Sequence, residues 1–355
     1  MGKLGGISAA FFFAFLPYNI FYSRVILPEP IATTFGLASI WLFIKFIDKE
    51  KIYYLFLSGA LMAASILIKP FTIFFLIPIL YLLIDKYSVE RLLREGKLLI
   101  SMTIYMAIIV IPLLLWRAWI NQHPEGIPFF EWMFNGDQIR FHPAFFRWIF
   151  AERIGILILG IWGIFPFLVG LVTKSKKYFI QFFFLGEVLY LSVVATANVK
   201  HDYYQILIIP VVALLLAQGV VYLVKIKSIN QWILRPVLVF TILMMFGMGV
   251  YKVKDYYQIN HPEIIAAGMA VDKLIPKDAK IIAPYNGDTA FLYQTKRFGW
   301  PAVDDSFDNI IKKGARYYVS VTLDDTDTKY ILQKYQVVEK TSSYVIADLT
   351  KPLKK

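Results

Sequence analysis

The 355-residue chain contains no cysteine and only four histidines, and 17% of its residues are charged, against about 25% in an ordinary soluble domain. The missing cysteines exclude disulfides, thiolate metal sites and cysteine nucleophiles, and they leave the redox compartment open. No Lys/Arg-rich tract is present, so nucleic acid is excluded as a partner despite a net charge of +12. No fixed-period repeat or low-complexity tract is visible. What the sequence has instead is apolar surface. Hydrophobic residues make up 58% and the mean hydropathy is +0.59. A water-soluble fold cannot hide that much apolar surface under so few charges, so the composition indicates a multi-span membrane protein with a soluble part.

Residues 253–355 hold 15 basic and 13 acidic side chains, so most of the positive excess lies in residues 1–252, in short loops between apolar runs. A bilayer crossing needs about 20 mostly apolar residues. Nine such runs occur, near 5–22, 30–47, 53–68, 70–85, 98–118, 150–172, 179–197, 204–224 and 231–251. Lys3 ahead of the first run resembles a signal-peptide start. Phe15-Leu16-Pro17-Tyr18 is a poor cleavage site, however, and the reading is an uncleaved span. One set of loops carries Lys3, Lys45, Lys49, Lys51, Lys86, Arg91, Arg94, Lys97, Lys174, Lys176, Lys177, Lys225, Lys227 and Arg235. The other carries Arg24, Lys69, Arg117, Arg140, Arg147, Arg153, Lys200 and Lys252. The richer set is cytoplasmic by the positive-inside rule. The expected fold is therefore a polytopic α-helical membrane protein of about nine spans, with N-terminus in and C-terminus out. The expected location is the plasma (inner) membrane. Residues 1–252 form the membrane domain, with an outer loop at 119–148, and 253–355 a small extracytoplasmic α/β domain.

Within that second domain, hydrophobic spacing predicts helices at Pro262–Leu274, Thr289–Thr295, Phe307–Lys313 and Asp325–Tyr335. It predicts strands at Lys280–Pro284 and Arg316–Val321, and a closing hairpin from Gln336–Glu339 and Ser343–Leu349. Strands separated by helices favour a mainly parallel sheet. The segment has no Gly-rich phosphate loop, His cluster or Ser-His-Asp pattern, which points to binding or packing rather than chemistry.

Ionisable groups near the outer membrane boundary carry the chemical signal. Arg24, Lys69, Arg117 and Lys200 can hold a phosphate or pyrophosphate at headgroup level, or they can snorkel to ordinary lipid phosphates. Glu29 lies between two prolines at the start of a span. It reads either as a helix-start acid favoured by the dipole or as a carboxylate facing the cations. Glu187, in mid-span, reads as a functional acid or as a brace between helices. His201, Tyr203 and Tyr204, like Tyr22, place aromatic and proton-transfer groups at the interface, where an aromatic belt is the simpler account. The outer-loop aromatics Phe129, Phe130, Trp132, Phe134, Phe145, Phe146 and Trp148 suggest an amphipathic segment on the bilayer, or the lining of an access path for a long lipid chain.

Several of these pieces occur in a familiar order. Tyr22-Ser23-Arg24 is followed by Pro28-Glu29-Pro30, then by Leu67-Ile68-Lys69-Pro70, and later by the run from His201 through Tyr203 and Tyr204 to Pro210. In this the chain resembles the polytopic GT-C glycosyltransferases of the protein-mannosyltransferase type, especially the bacterial relatives that include the lipid A aminoarabinose transferase. The resemblance implies transfer of a sugar from a polyprenyl-phosphate donor to an acceptor on the outer face, with inversion at the anomeric carbon. It implies that Arg24, Lys69, Arg117 and Lys200 offset the charge of the leaving phosphate and that Glu29 is the catalytic carboxylate. Tyr22, His201, Tyr203 and Tyr204 would then contact substrate. The expected partners are the polyprenyl-phosphate-sugar lipid and membrane lipids. The acceptor is unspecified, no cofactor is assigned, and a divalent metal stays open.

The family usually places an earlier span and an acid-bearing outer loop before the Tyr-Ser-Arg turn, whereas Met1 lies only 21 residues before Tyr22. An N-terminally incomplete or inactive member is therefore an alternative. So are a transporter or flippase for a lipid-linked anion and a non-catalytic scaffold presenting the C-terminal domain.

Overall fold

A computed structural model describes residues 2–123, 131–173 and 177–353. The predicted loop residues Phe129, Phe130, Lys174 and Lys176 lie outside them. The chain divides into two compact units, Met1–Tyr257 and Gln258–Lys355.

Unit 1 is helical. Helices α1 (Gly2–Phe15) and α2 (Pro17–Tyr22) lead to α3 (Glu29–Lys49) and α4 (Ile52–Ile68), and a 3-10 turn Pro70–Phe75 feeds α5 (Leu76–Tyr87). Then come α6 (Val89–Arg94), α7 (Gly96–Ile120), the short helices α8 (Trp132–Asn135) and α9 (Pro143–Phe146), and a π-helix Arg147–Ile158. Helices α10 (Ile164–Val172), α11 (Phe179–Val193) and α12 (Ala195–Lys200), a 3-10 turn Asp202–Ile208, α13 (Ile209–Lys225) and α14 (Gln231–Val253) complete it.

Among the described residues five stretches are long and apolar enough to cross a membrane: Glu29–Lys49, Pro70–Tyr87, Gly96–Ile120, Asp202–Lys225 and the run Gln231–Leu274. Three shorter apolar helices, Gly2–Phe15, Ile52–Ile68 and Phe179–Val193, coincide with three more of the nine expected runs. The remaining run, 150–172, is not one continuous α-helix. Its first half is π-helical, and the chain reverses into positive φ at Gly160 and Ile161 before α10 begins. A Cβ on Gly160 would come within 2.4 Å of the Met245 carbonyl on α14, so this neighbour's backbone occupies the space a side chain needs. The hub of the unit is α13. Gly219 on α13 and Gly170 on α10 let the two backbones touch, since a Cβ at either would lie 1.9 Å from a carbonyl oxygen of the other helix. Small residues at a helix crossing serve this purpose inside membranes, where close packing replaces the hydrophobic effect as the source of cohesion.

Unit 2 is a five-stranded sheet with order β2-β1-β3-β5-β4. It runs from α15 (Pro262–Leu274) through β1 (Lys280–Ile282), α16 (Thr289–Gln294), β2 (Gly299–Trp300), α17 (Phe307–Lys312), β3 (Ala315–Ser320) and α18 (Thr326–Lys334) to β4 (Tyr335–Lys340) and β5 (Val345–Pro352). Alternate strand residues face opposite sides. Ile281, Val319 and Ile346 pack with α15 and α16, while Ile282, Tyr318 and Ala347 pack with α17 and α18. The helices and the hairpin fall where the spacing predicts them. The sheet, however, is mixed rather than mainly parallel: β1 pairs parallel with β2 and β3, but β5 pairs antiparallel with β3 and β4. The two-residue β2 carries too short a pattern to be read as a strand.

Candidate active site

Three prolines bring the central pair together. Pro28 and Pro30 fix the start of α3, so Glu29 is its first residue, fully buried at 0% exposure. Pro70 forces the residue before it out of the helical region. Lys69 accordingly ends α4 in an extended conformation, φ −142° and ψ 103°. The α3–α4 hairpin is then fixed from within. The Ser65 hydroxyl donates to the Ala32 carbonyl at 2.7 Å and meets the Thr72 hydroxyl at 2.9 Å. Deeper, Ser39 and Ser58 exchange hydroxyl-to-carbonyl bonds of 2.7 and 2.9 Å. Lys69 Nζ ends 2.5 Å from Glu29 Oε1, with its side chain 14% exposed.

The surroundings of this pair are aromatic. Lys69 Nζ lies 4.4 Å from the Tyr204 ring centroid, 5.5 Å from Phe71 and 5.9 Å from Tyr203. Cation–π attraction of this kind is worth roughly 0.5–2 kcal/mol, more where water is absent. Among the described residues Glu29 Oε2 accepts no hydrogen bond, and the carboxylate does not cap the α3 backbone. The helix-start position is thus observed without the capping role. What results is an ion pair with spare acceptor capacity at the N-terminal end of a helix, whose dipole favours negative charge there.

Beside the pair, Asp202 organises a second cluster that sequence reasoning left out of the site. Its carboxylate accepts from Tyr22 at 2.6 Å and from Tyr256 at 2.5 Å, and Arg153 approaches to 3.8 Å. Its backbone carbonyl accepts from Tyr18 at 2.6 Å, and Arg153 donates to the Val199 carbonyl at 2.9 Å. These bonds hold the start of the 3-10 turn that carries Tyr203 and Tyr204, and Tyr190 donates to the Tyr204 carbonyl at 3.0 Å. The one signal available beforehand was that Asp202 lies inside the His201–Tyr204 run.

The segment from Glu131 to Phe146 packs beside this region. Phe134 meets Phe71 at 6.3 Å and Trp132 meets His201 at 6.0 Å. Asp137 accepts from the Thr196 hydroxyl at 2.5 Å and lies 3.7 Å from Lys200. That hydroxyl, above all, holds the Asp137 carboxyl below its ordinary range, against partial desolvation. His201, exposed at its outer edge, is pushed down by partial burial first and by the nearby cations Arg153, Lys200 and Lys69, although Asp202 opposes the shift. Of the outer-loop aromatics, Phe145 is buried while Phe146 and Trp148 are exposed, so the segment packs partly inward instead of lying wholly on the bilayer.

The structure therefore brings Glu29, Lys69, Tyr203 and Tyr204 together, with His201 beside them and Tyr22 attached through Asp202. Of the four cations named as phosphate contacts, Lys200 lies 3.7 Å from Asp137, Arg24 is exposed on the turn after α2, in no ion pair among the described residues, and Arg117 occupies the last turn of α7. Glu187 is 1% exposed, and neither of its carboxylate oxygens is hydrogen-bonded among the described residues, so it braces no neighbouring helix through such a bond. Among the described residues no group of three or more His, Asp or Glu converges as a metal site.

The family of dolichyl-phosphate-mannose-protein mannosyltransferases matches the chain over residues 1–116. This stretch, about a third of the sequence, contains Glu29 and Lys69 and stops short of Asp202. The match is to a membrane glycosyltransferase family of the GT-C type, in keeping with the apolar helices of unit 1. No curated protein matches the chain.

Proposed function

We propose that this membrane protein transfers a sugar from a polyprenyl-phosphate donor to an acceptor hydroxyl at the outer face of the plasma membrane. The proposal includes nine crossings, an inside N-terminus and an extracytoplasmic unit 2, as the loop charges suggest. The observation that carries it is the buried Glu29–Lys69 pair, walled by Tyr204, Tyr203 and Phe71, inside the segment that matches the mannosyltransferase family.

The chemistry follows from the pair. In the resting state the two side chains compensate each other where a lone buried charge is costly. An arriving lipid phosphate competes for Lys69 and leaves the Glu29 carboxylate to the acceptor hydroxyl. As that oxygen bonds to the anomeric carbon, the bond from this carbon to the phosphate oxygen breaks. The hydroxyl proton passes to Glu29, and the electron pair leaves on the lipid phosphate beside Lys69. A single displacement inverts the anomeric centre. Tyr203 and Tyr204 offer ring faces to the sugar and exclude water from the cation. Arg24, on the neighbouring turn, is the further phosphate contact in this reading, with Arg117 and Lys200 at its margin.

The test is transfer of radiolabelled sugar from synthetic polyprenyl-phosphate donor in membranes containing the protein. Glu29→Gln should reduce turnover by about 10²–10⁴-fold, the usual contribution of a positioned acid or base. Lys69→Ala should abolish donor-dependent transfer. Wild-type rates in both variants would refute the assignment.

A further inference from the structure

Asp202 takes no part in the sugar transfer described above, yet three separate segments meet on it. Its carboxylate accepts from Tyr22 of α2 at 2.6 Å and from Tyr256, just past the end of α14, at 2.5 Å. Its backbone carbonyl accepts from Tyr18, one turn earlier in α2, at 2.6 Å. Arg153 of the π-helix stands 3.8 Å from the carboxylate and donates to the Val199 carbonyl, three residues before Asp202. The phenol rings also pack on one another, Tyr18 at 4.7 Å from Tyr22 and Tyr22 at 6.1 Å from Tyr256, so the donors are aligned before they reach the acid. Hydrogen bonds to an ionised acceptor are about twice as strong as neutral ones.

What these bonds restrain is a stretch with little rigidity of its own. Asp202–Ile208 is a 3-10 helix of seven residues, longer than the three or four over which such helices usually hold, because their own hydrogen bonds are poorly aligned. Asp202 starts it. The next two residues are Tyr203 and Tyr204, whose ring centroids lie 5.9 and 4.4 Å from Lys69 Nζ. A shift at Asp202 therefore reaches the Tyr204 ring within two residues. The Asp202 side chain is 25% exposed, so water can enter in place of its carboxylate. Loss of the carboxylate then falls on the alignment of the turn rather than on the fold.

We propose that Asp202 is a positioning residue for donor binding, which sets the Tyr204 ring against Lys69 through its bonds to Tyr18, Tyr22 and Tyr256. This rests on Lys69 receiving the donor phosphate. The effect is bounded by that of the ring itself, so Asp202→Asn should raise the donor KM by up to about tenfold, with kcat and the thermal midpoint close to wild type. In a Tyr204→Leu background the same substitution should raise KM no further, since no ring is left to align. Tyr256→Phe, which keeps the carboxylate and removes one donor, should shift KM in the same direction by less. An Asp202→Asn effect that adds in full to Tyr204→Leu, a fall in kcat at constant KM, or an unchanged KM would each overturn the proposal. A second readout needs no sugar transfer. Lys69, its side chain 14% exposed, should be acylated several-fold faster by acetic anhydride in Asp202→Asn than in the wild-type protein, both in detergent, as read by peptide mass spectrometry. Equal acylation would overturn the positioning role whether or not the wild type transfers sugar. Faster acylation in a protein that transfers none would confine the failure to the glycosyltransferase reading and leave the hold of Asp202 on the ring in place.

Discussion

Lys69 in unit 1 and Arg297 in unit 2 are both buried cations beside a carboxylate, yet the residues around them treat them in opposite ways. Arg297, its side chain 1% exposed, is saturated. Beyond Asp272 it donates to the carbonyls of Ile275, Pro276, Thr295 and Lys296, at 2.6 to 3.4 Å. Among the described residues Lys69 has one oxygen partner for Nζ, Glu29 Oε1, and otherwise faces three aromatic rings, while Glu29 Oε2 accepts nothing. A planar guanidinium distributed over backbone carbonyls fixes a loop permanently. A compact ammonium and a half-used carboxylate among rings leave capacity for something that arrives later. The number of satisfied hydrogen-bonding atoms, rather than burial, separates the structural ion pair from the one suited to chemistry.

That contrast can be attacked directly. The largest effect is expected from Glu29→Gln combined with Lys69→Met. Removing one member of a buried pair leaves an uncompensated charge, at a cost of about 3–5 kcal/mol, whereas replacing both is close to neutral. The double variant should therefore keep its thermal unfolding midpoint in detergent, the singles should lose theirs, and all three should lose transfer. A double variant that is stable and active would make the pair merely structural. Arg297→Met should do the opposite. It strands several buried carbonyls at about 1–3 kcal/mol each, so unit 2 becomes protease-sensitive, while the transfer rate of intact molecules stays near wild type. Tyr204→Leu, which removes a ring from Lys69, should weaken donor binding by roughly tenfold at most. Tyr204→Phe should leave it unchanged, and titration with donor lipid distinguishes the two.

The smallest effect concerns an exposed pair. Asn309 and Lys313 side chains and the Ser306 amide hold the Asp305 carboxyl down from 3.8 to about 2. Because its folded pKa is depressed, the stabilisation is complete above the ordinary value near 4 and is lost as pH falls towards 2. Asp305→Ala should flatten the stability profile of unit 2 in that window alone, and an acid titration followed by circular dichroism measures it.

How much of this was legible beforehand depended on whether a local rule was at work. Glu29 and Lys69 were visible because prolines flank them, and proline restricts its neighbour whatever the tertiary setting. The helices of unit 2 were visible through hydrophobic spacing and turn residues such as Gly314. Asp202 was not assigned to the site because its meaning lies in Tyr18, Tyr22, Arg153 and Tyr256, which come from three distant segments. The Lys200–Asp137 pair was not legible either, since the two lie far apart in the chain and no sequence spacing connects them. The mixed sheet escaped for a related reason, since strand direction is decided by which edge β5 joins, and alternation is the same in either direction.

Ser65 has a further consequence. Its hydroxyl joins Ala32 on α3 to Thr72 in the turn after α4, so the spacing of Glu29 and Lys69 is set from inside the helix pair. The connection at Glu50–Lys51, at the far end of both helices, carries none of that burden. Insertions or exchanges there are free to follow whatever that end of the hairpin encounters, while the electrostatics at the opposite end stay in place. One buried hydroxyl thereby uncouples the evolution of the two ends of the hairpin.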